Sequence, residues 1–132
     1  MEIKDFENIE PKYKGIEIDF AGAILIMPPL SGIAYAEHDA FEKIGTVEKT
    51  VKEKGNFDSE AYKIMVELVT LALQRNYPKI TEKFVMENIT DGFALIMYVD
   101  DLMAQTPYNK KLMEQNSVKN GLAQVAIQAQ KK

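Results

Sequence analysis

The 132-residue chain contains no cysteine, which removes disulfides, thiolate metal sites and thiol nucleophiles. An excess of positive charge is also missing. Sixteen Lys plus Arg stand against twenty Asp plus Glu, a net charge of −4, so the overall field repels a phosphate backbone and no nucleic acid partner is expected. No basic-then-apolar N-terminal stretch marks the chain for export. The expected compartment is the cytoplasm. The longest apolar run, Phe20 to Leu30, is eleven residues and carries two prolines. A membrane-spanning helix needs ~20, so no membrane partner is expected either.

Groups able to make or break bonds are equally scarce. The one histidine, His38, is flanked by Glu37, Asp39 and Glu42. On a helix His38 and Glu42 would share a face, but a metal site needs three or four convergent ligands with ordered outer partners. A solvated helical surface is the expectation there. Asp100 and Asp101 are helix neighbours pointing about 100° apart and do not converge as a carboxylate dyad must. Ser31, Ser59 and Ser117 lie in capping or tail contexts, and one histidine would have to serve all three. The seven glycines are scattered singly, which excludes a phosphate-cradling loop. The chain is therefore expected to be no enzyme, with no catalytic residue, cofactor or metal.

What remains is an ordinary globular composition, 46% hydrophobic and 27% charged, enough to bury one core at this length. The expected fold is mainly α with a small N-terminal β-hairpin, an α+β arrangement. Residues 1–15 mix charge with isolated apolar side chains and read as an extended arm. Residues 16–107 form the hairpin and a compact helical domain. Residues 108–132 read as a weakly structured or helical tail, polar to Gly121 and then placing Leu122, Val125 and Ala129 on one face.

Within the domain, Ile16, Ile18 and Phe20 alternate with Glu17 and Asp19, Ala21-Gly22 offers a turn, and Ala23 to Met27 follow as a second strand. That strand is apolar on both faces, which implies burial beneath helices or pairing with another subunit. Pro28-Pro29 stops it. Ser31 is then a candidate N-cap for a helix through Ala34, Phe41 and Ile44 that ends near Gly45. Thr46 to Lys54 reads as a short exposed helix or a linker. The clearest element is the next helix, capped by Asp58 with Phe57 and Tyr62 as a hydrophobic staple. Its apolar stripe is Ala61, Ile64, Met65, Leu68, Leu71 and Ala72. Pro78 ends it, Thr81 caps a short helix with Ile80 and Val85 as its staple, and Thr90 or Asp91 starts a last helix through Met103. That helix is apolar at every position from Phe93 to Val99, which predicts burial on several sides. Met65, Met86, Met97 and Met103 fall on these helices as core filling or as an adaptable surface.

Two stretches carry a family resemblance: the strand leading into Met27-Pro28-Pro29-Leu30-Ser31, and Leu71 through Val85 with its unusual Arg75-Asn76-Tyr77-Pro78 and Thr81. Together they resemble the tail assembly chaperones of long-tailed bacteriophages and prophages, over residues 13 to about 104. After Val85 the sequence departs from that family, with Met86-Glu87-Asn88-Ile89-Thr90 in place of a Leu-rich acidic turn. The resemblance implies a morphogenesis factor in the bacterial host cytoplasm. Such a factor binds the tape measure protein, keeps that long apolar helical protein soluble and helps recruit tail tube subunits. It also implies self-association and, in many members, a longer form made by translational frameshifting. Arg75, Asn76, Tyr77, Pro78 and Thr81 are expected to form a structural corner. Ile24, Ile26, Met27 and Leu30, with Met97 and Met103, are the expected partner contacts. The competing expectation is a structural tail component of the virion, of the terminator or connector type.

Overall fold

Strict alternation builds the hairpin. In the computed structural model, which describes residues 2–105, β1 (Ile16–Phe20) pairs antiparallel with β2 (Ala23–Met27), Ile16 opposite Met27 and Phe20 opposite Ala23. The two turn residues, Ala21 and Gly22, both have positive φ, 52° and 91°, the type I′ pattern that matches strand twist. Ile18, Phe20, Ala23, Leu25 and Met27 point inward and are buried, leaving Glu17, Asp19, Ile24 and Ile26 on the other face. β2 is thus covered on one face only.

Five helices follow: α1 (Gly32–Glu37), α2 (Ala40–Lys54), α3 (Ser59–Gln74), α4 (Glu82–Asn88) and α5 (Gly92–Ala104). Helix α3 is the hub, packed against α2, α4, α5 and β2. This central position explains why its buried set extends past the single stripe to Val66, Val69, Thr70 and Leu73. Each large apolar side chain taken fully out of water contributes roughly 1.5–3 kcal/mol, so α2, α4 and α5 are held mainly by what they bury on α3. The side chains of Asp58, Thr81 and Asp91 accept hydrogen bonds from the N–H groups of Ala61, Phe84 and Phe93, capping α3, α4 and α5. Together the elements make the mainly helical α+β arrangement expected, with the hairpin at its N-terminal end.

Three elements differ from expectation. Residues 1–15 are more than an extended arm: Ile3–Asn8 forms a 3-10 helix, and Phe6 is buried edge-on against Tyr77 and Phe84. The helix begun at Ser31 does not run to Gly45. It stops at His38, Asp39 takes a left-handed conformation at φ 52°, and α2 then continues straight through Gly45 to Lys54. Thr46 to Lys54 is therefore the second half of a helix anchored by buried Val47 and Val51. Finally, α5 is not enclosed all round. Leu95, Ile96, Val99 and Leu102 are buried, while Phe93 and Met97 face outward. The tail expected over residues 108–132 lies outside the described residues.

Candidate partner-docking surface

The Arg75-Asn76-Tyr77-Pro78 stretch is brought against the start of the chain, and each of its first three side chains grips backbone there. The carboxamide of Asn76 accepts from Tyr13 N–H at 2.7 Å and donates to the carbonyls of Tyr13 and Ile26 at 3.0 and 3.1 Å. The Tyr77 hydroxyl accepts from Ile26 N–H at 2.8 Å. Arg75 donates to the Pro29 carbonyl at 2.6 Å, and its guanidinium lies 4.2 Å from the centre of the Tyr13 ring. Pro78 ends the helical segment that presents these groups, and Thr81 restarts it as α4. These five residues lie together at the turn between α3 and α4. The sequence left unseen that the corner's main work is to hold the N-terminal segment and β2.

This network has a consequence for the hairpin. In a two-residue hairpin the N–H and C=O of Ile24 and Ile26 point away from β1, the free edge on which an added strand would pair. Ile24 N–H donates to the Glu7 carboxylate at 2.8 Å, and Ile26 has both polar groups taken by Tyr77 and Asn76. Three of these four outward groups are thus taken by side chains. On the other strand the Asp19 carbonyl accepts from the Tyr98 hydroxyl at 2.5 Å, tying the hairpin to α5. Burial raises the pKa of that Tyr98 hydroxyl above its ordinary value, with the Asp19 charge as a further cause.

The residues expected to contact a partner divide. Met27 and Leu30 are buried and belong to the core, because the inward register of β2 turns Met27 under the helices. They cannot offer surface. Ile26 and Met103 are half-buried. Ile24, at 49% exposure, and Met97, at 41%, are open to solvent. Met97 has a neighbour that the sequence reading placed in the interior: Phe93, one helical turn earlier and 45% exposed, lies on the same face of α5. Towards the C-terminal end of this helix, burial pushes the Asp101 carboxyl above its ordinary pKa.

A second apolar area, absent from the expected contacts, sits at the α1–α2 corner. Phe41 is 75% exposed and Ile33 61%, and the Phe41 ring stacks at a tilt on Tyr35 with centroids 4.5 Å apart. This area lies at the break at Asp39, after which Ala40 turns inward and Phe41 outward. Among the methionines, Met65 is core while Met86 and Met97 are exposed.

The break also separates His38 from Glu42, which no longer share one helix. His38 instead borders a cleft of about 300 Å³ with Glu67, Thr70, Gln74 and Glu82. Lys43 holds Glu67 at 2.6 Å, and Gln74 donates to the Ile80 carbonyl. The Thr70 hydroxyl is buried with no hydrogen-bond partner. Among the described residues no three His, Cys, Asp or Glu side chains stand where they could hold a metal ion, and no helix is long and apolar enough to cross a membrane. The described surface thus offers exposed apolar helix faces and, beside them, a strand edge whose two outward N–H groups are already bonded. Comparison with protein-family models, curated proteins and solved structures finds no match for this chain.

Proposed function

We propose that this protein is a tail assembly chaperone of the long-tailed phage type, acting in the bacterial host cytoplasm. It binds the tape measure protein, keeps it from aggregating and helps recruit tail tube subunits. The supporting observation is Phe93 and Met97, 45% and 41% exposed on one face of α5. A large aromatic and a flexible thioether at helical spacing suit a partner's amphipathic helix, laid down in the helix-in-groove manner. The bonded N–H groups of the β2 edge favour this mode over strand addition. The resemblance of residues 13 to about 104 to that chaperone family supplies the partner's identity.

Co-expression with the tape measure protein of the same gene cluster tests the proposal. The chaperone is expected to co-purify with its partner and to raise the partner's soluble yield. Failure of both would overturn it. Mass spectrometry of purified particles separates this role from a terminator or connector: the chaperone is absent, whereas a virion component is present at stoichiometric copy number.

A further inference from the structure

The cleft beside His38 is walled by three elements. Glu67, Thr70, Leu71 and Gln74 line it from α3, and their three- and four-residue spacing makes them one stripe of that helix. Glu82 enters from the first turn of α4 and His38 from the C-terminal end of α1. Its volume of about 300 Å³ is at the small end for a ligand site, room for one long side chain.

Thr70 is only 2% exposed, and its hydroxyl has no hydrogen-bond partner. A threonine inside a helix can turn that hydroxyl onto the carbonyl four residues back. Here the Val66 carbonyl is not taken, and a buried polar group left unmet is costly. The charges around it run one way. Lys43 neutralises Glu67, whereas Glu82 belongs to no ion pair among the described residues. No lysine or arginine is among the described residues lining the cleft. Gln74 gives its amide nitrogen to the Ile80 carbonyl, which leaves its Oε1 as an acceptor.

The cleft thus offers one unneutralised carboxylate, an unused hydroxyl, further acceptors and the apolar side chain of Leu71. A guanidinium matches that set. It carries one positive charge, five N–H donors and no acceptor, its fork pairs bidentately with a carboxylate, and its methylene stem packs on apolar surface.

We propose that this cleft receives an arginine side chain of a partner protein, its guanidinium paired with Glu82 and donating to the Thr70 hydroxyl, its stem along Leu71. The site shares no residue with the Phe93–Met97 face and stands independently of the function proposed for it.

His38 is the only histidine, so its ring resonances in the full-length protein report on the cleft without ambiguity. N-acetyl-L-arginine amide, titrated in, is expected to shift them saturably. N-acetyl-L-citrulline amide has nearly the same shape and no charge, and should bind at least about tenfold more weakly. Glu82→Gln should weaken the arginine probe by a similar factor. Thr70→Val should weaken it too, yet leave the denaturation midpoint unchanged or raised, because it removes a hydroxyl that the folded chain does not use. No saturable shift, equal binding of the two probes, unchanged binding in either variant, or a lowered midpoint in Thr70→Val would each overturn the site. Tighter binding of free L-arginine than of the blocked probe would make the occupant the free amino acid and overturn the partner side chain.

Discussion

Asn76 engages both backbone polar groups of Tyr13, accepting from its N–H at 2.7 Å and donating to its carbonyl at 3.0 Å, across 63 residues of sequence. With the further bond to the Ile26 carbonyl, one carboxamide ties α3's C-terminal end to the N-terminal segment and to β2. Asn76 is almost fully buried, so water cannot readily replace what it supplies.

Asn76→Ala is therefore expected to destabilise by about 3 kcal/mol, since it orphans three backbone groups and each unmet group costs roughly 1–3 kcal/mol. Tyr77→Phe removes one acceptor and should cost about 1 kcal/mol. Urea denaturation of the two variants checks both the size and the order. Equal stability to the parent in Asn76→Ala would show that the network contributes nothing.

Gly15 is required by space. A Cβ there would stand 2.2 Å from the Met27 carbonyl oxygen, and the three nearest atoms are all backbone. Gly15→Ala should therefore cost about 3 kcal/mol, the upper end of the usual overpacking range, seen as a lowered denaturation midpoint.

Ala21 sits at φ 52° in the hairpin turn, where its Cβ is strained by roughly 1–2 kcal/mol. Ala21→Asn creates the Asn-Gly pair that type I′ turns prefer. It should stabilise the protein by about 1 kcal/mol, measured as a rise in the denaturation midpoint.

How much of this was legible in the sequence depended on the range of the interaction. Local rules found the hairpin, its turn and the caps at Asp58 and Thr81, and narrowed the third cap to Thr90 or Asp91, because each needs only residues a few positions apart. The requirement at Gly15 is set by the Met27 backbone, and the role of Asn76 by Tyr13, so neither carries a local signal. The α1–α2 break rests on a left-handed Asp39, a conformation that aspartate tolerates but does not announce. Half of the exposed apolar surface was hidden for the same reason. Met97 was named from its residue type, but the exposure of Phe93 and Phe41 depends on which side of each helix its neighbours cover.

The Asp58 carboxylate gives the protein an acid-side dependence. The hydrogen bond from Lys54 at 2.7 Å, and then the Ala61 N–H, hold its pKa below the ordinary value. A carboxylate lowered in the folded state stabilises above its unfolded pKa, about 4, and that contribution disappears as pH falls through the folded value. Asp58→Asn should accordingly be less stable than the parent at pH 7. The gap should close below about pH 4, as followed by thermal melts across pH.

The central claim, that the α5 stripe receives a partner helix, is met most directly by Phe93→Glu/Met97→Glu co-expressed with the tape measure protein. Both positions are exposed, so the denaturation midpoint should stay within about 0.5 kcal/mol of the parent. The partner's co-purification and soluble yield should be lost, while the parent chain retains both. A double variant that folds and still carries the partner into the soluble fraction as well as the parent does would contradict the account.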